Sequence, residues 1–292
     1  MIAATHDGRF HADEIFALAV LKLIFPDLEI VRSRDEQIYK RADIIVDVGH
    51  VYDPEKLIFD HHQRSFSIKR DSGIPYASFG LVWKQYGQSL CGSSQTAEYI
   101  DSVIVQAVDA DDNGIEIYKT KIEGVGFHTL SDIIDSFVPR YVDDDDKVKI
   151  GFDRAFNFAT TYMKRQIKLA KELFEVALPN IRKTIKNAKD PRILIFDKFD
   201  KTWLNFIALE SENALFAIFP THRKTWALRS VPKKKQKFEY SKLLPAEWAG
   251  RQKDFADISD VQDALYCHNG CFLAEANSLE GANKLAGIAL EH

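Results

Sequence analysis

The stretch "KLIFDHHQRSF", Lys56–Phe66, places an aspartate and two adjacent histidines directly behind a short apolar run. Similar runs occur upstream as "LEIVRS" (28–33) and "ADIIVDVG" (42–49), each bounded by charged or turn residues. Short apolar runs that alternate with helical stretches are typical of strands buried on both faces of a parallel sheet. The N-terminal half is therefore predicted to be an α/β domain.

Helical periodicity fills the intervals between and after these runs. Residues 1–25 predict a strand, a loop and then a helix, and helical patterning returns from Ala77 to Tyr86 and from Thr96 to Val108. A long amphipathic helix is predicted from about Phe152 to Ala188, with an interruption near Pro179. This helix is expected to connect two domains.

The remaining sequence, from Pro191, predicts a second and smaller α/β domain. Its apolar segments "RILIF" (192–196), "FIALE" (206–210), "LFAIFP" (215–220) and "TWALRSVP" (225–232) are interpreted as strands of one sheet. The predicted organisation is residues 1–150 as the first domain, 151–190 as the connecting helix and 191–292 as the second domain.

Composition sets limits on function. The 292 residues are 46% hydrophobic and 28% charged, as in globular proteins, and the formal charge of −4 gives no general attraction to nucleic acid. No window approaches the roughly 18 apolar residues of a membrane span, and the N-terminus does not resemble a secretory signal. We therefore expect a cytoplasmic protein without membrane contact.

Three further features are interpreted as structural. The acidic run Asp143–Asp146 lacks the spacing of a calcium loop and is predicted to be a solvated loop. The basic "PKKKQKF" (232–238) is interpreted as a solvated turn, with phosphate contact as the alternative. Cys267 and Cys271 lack further nearby ligands, so packing is preferred to a zinc site.

Four short clusters of potential metal ligands lie within the first 112 residues. They are His6, His11 and Asp13 in "THDGRFHADE"; Asp47 after "IIV"; Asp60, His61 and His62; and Asp109, Asp111 and Asp112 in "VDADDNG". Each cluster alone has a structural explanation, such as a helix cap or a turn. At the ends of strands and helices of one domain, however, they are expected to converge. The two adjacent histidines are expected to point to opposite faces of an extended strand.

Mixed carboxylate and imidazole ligands suit manganese, magnesium or iron, and the absence of a nearby cysteine argues against structural zinc. The number of ligands favours two ions over one. A carboxylate shared by two ions about 3.5–4 Å apart is the arrangement that activates water for displacement at phosphorus. The sequence thus indicates phosphoester hydrolysis.

The ordered motifs resemble a known family. "H-x4-H-x-D", "DVG" and "DHHQ" resemble the DHH phosphoesterase superfamily, and "FDHHQRSF", "VDADDNGI", "LLPAEWAG", "CHNGCF" and "SLEGANKLA" are similar to the melanocyte-proliferating-gene exonuclease family. The resemblance extends over nearly the whole chain. It implies two α/β domains with a cleft between them, metal in the first domain and substrate contacts from the second.

The resemblance also implies roles for individual residues. His6 and His11 would bind one manganese, Asp13, His61 and Asp109 the other, and Asp47 would bridge both. Asp60 would be a ligand or hold its neighbours in place, and His62 would contact the scissile phosphate. His268 and Gly270 match the motif of the second domain that reaches the substrate. The residues with assigned catalytic roles are Asp47, Asp60 and His62.

The chain departs from this pattern in its second domain. Cys271, Ala274 and Glu275 stand where relatives have a basic residue and paired glycines, and an acidic side chain there would oppose a phosphate. His11 also stands where the superfamily more usually has aspartate. These departures leave the substrate open while the metal site is expected to be retained.

Three functions are therefore considered. The first is a two-metal phosphodiesterase, with Mn²⁺ preferred to Mg²⁺, that acts as a 3′–5′ exonuclease on RNA or short oligonucleotides. Candidate strand contacts are Arg64, Lys69, Arg70, His222, Arg223, Lys224 and Trp226. The second is a hydrolase of a small phosphorylated compound, such as a dinucleotide or pyrophosphate. The third is a non-catalytic metal-binding scaffold. The sequence leaves the oligomeric state open, with a homodimer as one alternative.

Overall fold

The computed structural model describes residues 1–141, 144–200, 204–234 and 239–292, with side chains described from Phe206 onward in the third range. Its contacts divide the chain into two compact units, Met1–Lys171 and Glu172–His292. The division falls inside residues 151–190, for which the sequence predicts a connecting helix. Each unit contains a five-stranded sheet with helices, so the predicted two-domain α/β class is confirmed.

The sheet of the first unit is parallel except at one edge. Its strands are β1 (Ile2–Thr5), β2 (Glu29–Arg32), β3 (Ile44–Val46), β4 (Tyr52–Asp53) and β5 (Ile58–Phe59). They are arranged in the order β2-β1-β3-β5-β4, and only β4 runs antiparallel to its neighbour. Consequently β1, β3 and β5 are adjacent and end at the same edge of the sheet.

Helices surround this sheet. They are α1 (Ala12–Ile24), α2 (Glu36–Tyr39), α3 (Ser78–Cys91), α4 (Ser94–Ile100), α5 (Gln106–Asp112), α6 (Leu130–Asp135) and α7 (Asp145–Glu172), with a π-helical segment Asp101–Val105 between α4 and α5. Helix α1 is buried from Ala12 to Leu21, because it is apolar nearly all round and packs inside a shell of other elements. The buried residues of α1 include two acidic ones, Asp13 and Glu14.

The helix that leaves the first unit begins earlier than its sequence pattern indicates. It starts at Asp145, so Asp145 and Asp146 belong to its first turn, where carboxylates favour the helix dipole. Of the predicted acidic loop only Asp144 precedes the helix, and Asp143 lies outside the described residues. The predicted interruption occurs as a π-helical segment, Leu173–Ala177, directly before α8 (Leu178–Asn187), which has Pro179 in its first turn.

The second unit contains strands β6 (Ile193–Ile195), β7 (Phe216–Pro220), β8 (Trp226–Ser230), β9 (Ala264–Cys267) and β10 (Leu273–Ala276) in the order β6-β7-β8-β10-β9. Its helices after α8 are α9 (Leu204–Glu210), α10 (Phe255–Ser259) and α11 (Leu279–Glu291). The prediction that "FIALE" is a strand was wrong, because this segment lies in α9. Its leucine, alanine and glutamate are good helix formers. Residues 235–238 of the basic "PKKKQKF" lie outside the described residues.

None of the helices in the described residues has the length and apolar character that a membrane crossing requires.

Candidate metal centre

The ends of three neighbouring parallel strands bring the predicted ligands together. His6 follows the last residue of β1, Asp47 follows β3 and Asp60 follows β5. Because adjacent parallel strands end at one edge of a sheet, residues at these positions converge in space although up to 54 positions separate them in the sequence. His6, Asp47 and Asp60 are all buried.

Asp47 lies at the centre of the cluster and faces histidines on both sides. Its Oδ2 lies 3.4 Å from Nε2 of His6 and 3.8 Å from Nδ1 of His11. Its Oδ1 lies 3.6 Å from Nε2 of His61 and 3.5 Å from Nδ1 of His62. The backbone of Asp47 is left-handed, with φ of 59°. A residue with a Cβ adopts this conformation at an energetic cost that is often found at functional sites.

The N-terminus of α3 fixes the second predicted carboxylate. Asp13 accepts hydrogen bonds from the backbone N–H groups of Ser78 (2.9 Å) and Phe79 (2.6 Å). The hydroxyl of Ser78 in turn donates to Oδ1 of Asp47 at 3.1 Å. Asp13 is thereby held with Oδ2 at 4.0 Å from Nε2 of His61.

Two carboxylates without a role in the ligand set that the resemblance implies, those of Glu14 and Asp112, belong to the cluster. Glu14 places Oε1 3.1 Å from Nε2 of His6 and Oε2 2.9 Å from Nδ1 of His11, and it also accepts the backbone N–H of His11. Asp112 places Oδ2 3.1 Å from Nε2 of His61. The signal for Glu14 was its position three residues after His11 at a helix start, which is the capping-box spacing.

Asp109 lies outside the converging groups and pairs with Arg70, although its buried Oδ2 makes no well-directed hydrogen bond among the described residues. Its Oδ1 accepts the backbone N–H of Gly80 at 3.0 Å, and its Oδ2 lies 2.7 Å from Nη1 of Arg70. Burial raises the pKa of Asp109 to about 7, and the neighbouring Arg70 opposes this rise. Among the described residues, Asp109 belongs to none of the groups whose ligand atoms converge.

We predict that Asp112 and Asp109 respond differently to neutralisation. Asp112→Asn should weaken Mn²⁺ binding about tenfold or more, because the proposed ligand loses its negative charge. Asp109→Asn should instead lower the free energy of unfolding by about 2 kcal/mol, because Arg70 loses a buried partner but keeps Asp101. Calorimetric Mn²⁺ titration and urea unfolding measure the two effects. The reverse pattern would place Asp109 in the ligand set.

The two adjacent histidines do not point to opposite faces, so that prediction was wrong. Their ring centroids lie 4.4 Å apart, and both rings approach Oδ1 of Asp47. The reason is that β5 ends at Phe59, so the extended-strand geometry on which the prediction relied does not reach them. Asp60 holds its neighbours: it accepts from the backbone N–H and Nδ1 of His62 and from the backbone N–H of His50.

The charges of the cluster are strongly coupled. Burial disfavours the imidazolium of His6, but the carboxylates of Asp47 and Glu14 outweigh burial and raise the pKa of His6 to about 10. The pKa of His61 is raised to about 11, because Asp112 and Asp47 likewise outweigh burial. Burial, and then the negative charges of Asp112 and Asp47, raise the pKa of Asp13 well above its usual range. These carboxylates are crowded enough to hold protons on the histidines.

The cluster fits a divalent metal. Three groups each bring their ligand atoms within 4.8 Å of one another: His6, His11, Glu14 and Asp47; Asp47, His61 and His62; and Asp13, His61 and Asp112. Nε2 of His6 and Nε2 of His61 are buried and, in the described part of the chain, accept or donate no well-directed hydrogen bond. Both nitrogens face carboxylate oxygens at 3.1 Å, and imidazoles and carboxylates that converge in this way suit a divalent metal ion.

The predicted substrate contacts have different environments. Arg64 and His62 are exposed, and Arg64 follows His62 by two positions without a contact to the cluster in the described residues. The side chain of Arg70 is 5% exposed and bound by Asp101 and Asp109, so its prediction as a strand contact was wrong. In the second unit, Gly270 donates its backbone N–H to Nδ1 of His268, whose ring packs on Phe272 at 4.2 Å.

The carboxylate of Glu275, in the second unit, is paired with neighbouring side chains. Oε1 of Glu275 pairs with Nη2 of Arg223, and its Oε2 accepts from the hydroxyl of Thr225 at 3.1 Å. Its negative charge is therefore compensated locally, and Arg223 is engaged in the pair. Cys267 and Cys271 are buried thiols, and no group of three metal ligands in the described residues includes either of them.

The fold and the cluster together define an α/β protein with a candidate divalent-metal centre at the ends of its parallel strands. The family model MYG1_exonuc, described as "Uncharacterised protein family (UPF0160)", matches residues 2–290. The chain therefore belongs to the MYG1 exonuclease family, and the resemblance predicted from its motifs is confirmed.

Relatives from distant organisms match over almost the whole chain. The "MYG1 protein C694.04c" of Schizosaccharomyces pombe is 30% identical, with 99% of this chain and 97% of that protein covered. A "MYG1 protein" of Chlamydia trachomatis is 31% identical, with 98% and 96% covered. The "MYG1 exonuclease" of Rattus norvegicus is 29% identical, with 98% and 84% covered.

Among solved structures, RecJ from Thermus thermophilus in complex with Mn²⁺ matches all of this chain and 52% of its own, at 14% identity and a TM-score of 0.31. The chain thus spans about half the length of that protein.

Proposed function

We propose that the protein is a two-metal phosphodiesterase that removes nucleotides from the 3′ end of RNA or short oligonucleotides, with Mn²⁺ as the preferred ion and Mg²⁺ as the alternative. The observation that carries the two-metal part is the position of Asp47. Its two oxygens face two different histidine pairs, as a carboxylate that bridges two ions would require. The substrate is suggested by the relatives named exonuclease.

The ligands divide into two sets around this bridge. His6, His11 and Glu14 would hold one ion with Oδ2 of Asp47. Asp13, His61 and Asp112 would hold the other with Oδ1. Bound divalent ions supply a water activated as a nucleophile and positive charge for the phosphate oxygens. The carboxylates of the two ligand sets, those of Asp13, Glu14, Asp47 and Asp112, bring four negative charges, which match the four positive charges of two divalent ions.

We infer that His62 contacts the scissile phosphate. Its side chain is 49% exposed, and its Nδ1 is held by Asp60 at 2.8 Å, which leaves Nε2 as the free ring nitrogen. The hydrogen bond to Asp60 raises the pKa of His62 in spite of partial burial, which favours an imidazolium that donates to a phosphate oxygen. Asp60 is therefore a positioning residue, because it acts through His62.

Incubation with four labelled substrates tests the proposal. Manganese-loaded protein is expected to shorten RNA from its 3′ end and to release mononucleotides. DNA, a dinucleotide and pyrophosphate are the comparison substrates. Hydrolysis of the dinucleotide or pyrophosphate without action on longer RNA would favour the small-compound hydrolase. Failure on all four, with Mn²⁺ still bound, would favour the metal-binding scaffold. Cell fractionation would test the proposed cytoplasmic location.

We expect metal binding to release protons. At pH 7 the metal-free protein holds protons on His6 and His61, whose pKa values are raised to about 10 and about 11. A metal ion can bind these nitrogens only after their protons leave. Mn²⁺ affinity should therefore fall as pH falls, by about tenfold per pH unit for each proton released. Calorimetry in two buffers of different ionisation enthalpy counts the protons, and equal heats in both would contradict the expectation.

The raised pKa values of His6 and His61 also make the stability of the metal-free protein depend on pH. This stability falls as pH rises, whereas Mn²⁺ affinity increases. A group whose pKa is higher in the folded state than in the unfolded state stabilises the folded state. This stabilisation is complete below the pKa of the unfolded state and is lost as pH rises through the pKa of the folded state. The contribution of His6 and His61 should therefore be full below pH 6.5, decline as pH rises above that value and be lost by about pH 10 to 11. Unfolding in urea along a pH series, without metal, measures it.

A further inference from the structure

A cavity of about 570 Å³ opens beside the metal centre within the first unit. Part of its lining is the centre itself, through His6, His11, Asp47, Asp60 and His62. The other polar side chains that line it are Arg34, Glu36, Tyr39, Lys40 and His50, from the segment around α2 and the turn after β3. The volume lies within the range of small-ligand sites. A group bound at the metals can therefore extend into this cavity.

His50 is held on the cavity wall by an unusual backbone. Its φ is 53°, in the left-handed region that disfavours a residue with a Cβ. Its backbone N–H donates to Oδ2 of Asp60 at 2.6 Å, and Asp60 binds His62 through its other oxygen. The rings of His50 and His62 lie 6.4 Å apart at their centroids. One buried carboxylate thus holds the backbone of His50 and the ring of His62 beside the same cavity.

The charge of the lining favours an anion. The side chain of Arg34 is 68% exposed and pairs with Asp7, with Nε 3.3 Å from Oδ1 of that carboxylate. Lys40 is exposed, and in the described ranges no carboxylate lies within ion-pair distance of it. Glu36 is the single acidic residue in this part of the lining. Lys40 therefore gives the lining a cation without a carboxylate partner in the described ranges, and Arg34 adds a guanidinium that it shares with Asp7.

We propose that this cavity binds a second, non-scissile phosphate of the substrate, with Lys40 and Arg34 as the charged contacts and His50 as a hydrogen-bonding contact. The proposal rests on the proposed phosphodiesterase function, and it adds a substrate class: phosphodiesters that carry a further phosphate next to the bond that is cleaved. Phosphates follow one another along a nucleic acid strand, so a scissile phosphate at the metals brings a neighbour close by.

The test compares three substrates: a dinucleotide with one phosphodiester, and the same dinucleotide with an added 5′ or 3′ terminal phosphate. The wild type is expected to show a KM about tenfold lower for one of the two phosphorylated forms, because the added anion gains charge-assisted hydrogen bonds. The kcat should change little, since the group lies away from the reacting atoms. Lys40→Ala and Arg34→Ala should each bring the KM ratio close to one.

Arg41→Ala is the matched control, because Arg41 is the exposed neighbour of Lys40 and does not line the cavity. It should retain the wild-type KM ratio. His50→Gly should reduce the ratio while keeping or raising the melting temperature, because glycine adopts the left-handed backbone without strain. A melting temperature at or above the wild type separates this loss of a contact from misfolding.

Three outcomes overturn parts of this account. Equal KM values for all three substrates in the wild type would overturn the second-phosphate site and leave the phosphodiesterase function intact. A preference retained in both Lys40→Ala and Arg34→Ala would also overturn the site. Absence of cleavage of every substrate by the manganese-loaded wild type would overturn the proposed function together with the inference.

Discussion

Asp47→Asn is expected to abolish phosphoester hydrolysis, with a loss of more than about a thousandfold in kcat. Asp47 is the one carboxylate in the described residues whose two oxygens face both histidine pairs. Asparagine replaces one of those oxygens with an NH2 group, which cannot bind a cation. The ions supply several kcal/mol of transition-state stabilisation, and about 4 kcal/mol corresponds to a thousandfold in rate. Steady-state hydrolysis of labelled RNA and a direct count of bound Mn²⁺ measure the change.

Asp111→Asn is the matched control for Asp47→Asn. Asp111 is an exposed aspartate beside Asp112, and in the described residues it belongs to none of the converging groups. It should retain nearly all activity and the full metal content. Full hydrolysis by Asp47→Asn would defeat the two-metal mechanism. A partner interaction lost in an Asp47→Asn protein, with a wild type inactive on every phosphoester, would support the scaffold function.

Gly80→Ala is expected to be the most damaging single-methyl change near the site. A Cβ at Gly80 would lie 1.9 Å from Oδ2 and 2.8 Å from Cγ of Asp109, and 2.7 Å from Nη2 of Arg70. These groups are buried and mutually bonded, so they cannot move without breaking the pair. We expect a loss of about 3 kcal/mol in the free energy of unfolding, and reduced activity because α3 also holds Asp13. Urea unfolding and Mn²⁺ binding measure the two effects.

Gly287→Ala provides the matched control, because Gly287 also lies inside a helix but has no atom within 4 Å of a built Cβ. Alanine there should raise the free energy of unfolding by up to about 1 kcal/mol, since it restricts the unfolded chain and favours the helix. If Gly80→Ala were as well tolerated as Gly287→Ala, the close packing of Asp109 against α3 would be wrong.

Much of the fold follows from local sequence patterns. Apolar runs that end in His6, Asp47 and Asp60 predicted parallel strands with functional ends, and the structure places β1, β3 and β5 side by side. The segment "FIALE" shows the limit of this reasoning. Seven residues of α9 are too short for periodicity to distinguish a helix from a strand, so the neighbours along the chain decided between them.

The choice of ligands shows a different limit. The sequence reasoning named Asp109, Asp111 and Asp112 as one cluster and selected Asp109 by resemblance. In the structure Asp109 forms an ion pair with Arg70, which is distant in sequence. Asp112, at the end of α5, lies beside His61 instead. Which carboxylate a buried arginine neutralises depends on three-dimensional packing and has no signal in local spacing. For Glu14 the sequence shows only the capping-box spacing to His11, and its contact with His6 arises because the residue after β1 lies beside the first turn of α1.

The sequence by itself determined the two α/β domains, the family and the supply of imidazole and carboxylate groups, because residue type and strand or helix periodicity are local properties. Only the tertiary structure decided which of these groups share a site and how each is oriented. The left-handed turn at Asp47, the binding of Asp13 by α3 and the pairing of Asp109 with Arg70 all arise where separate segments meet. The physical reason is that burial imposes a free-energy cost on every unpaired polar group, so partners are assigned by packing across the whole domain.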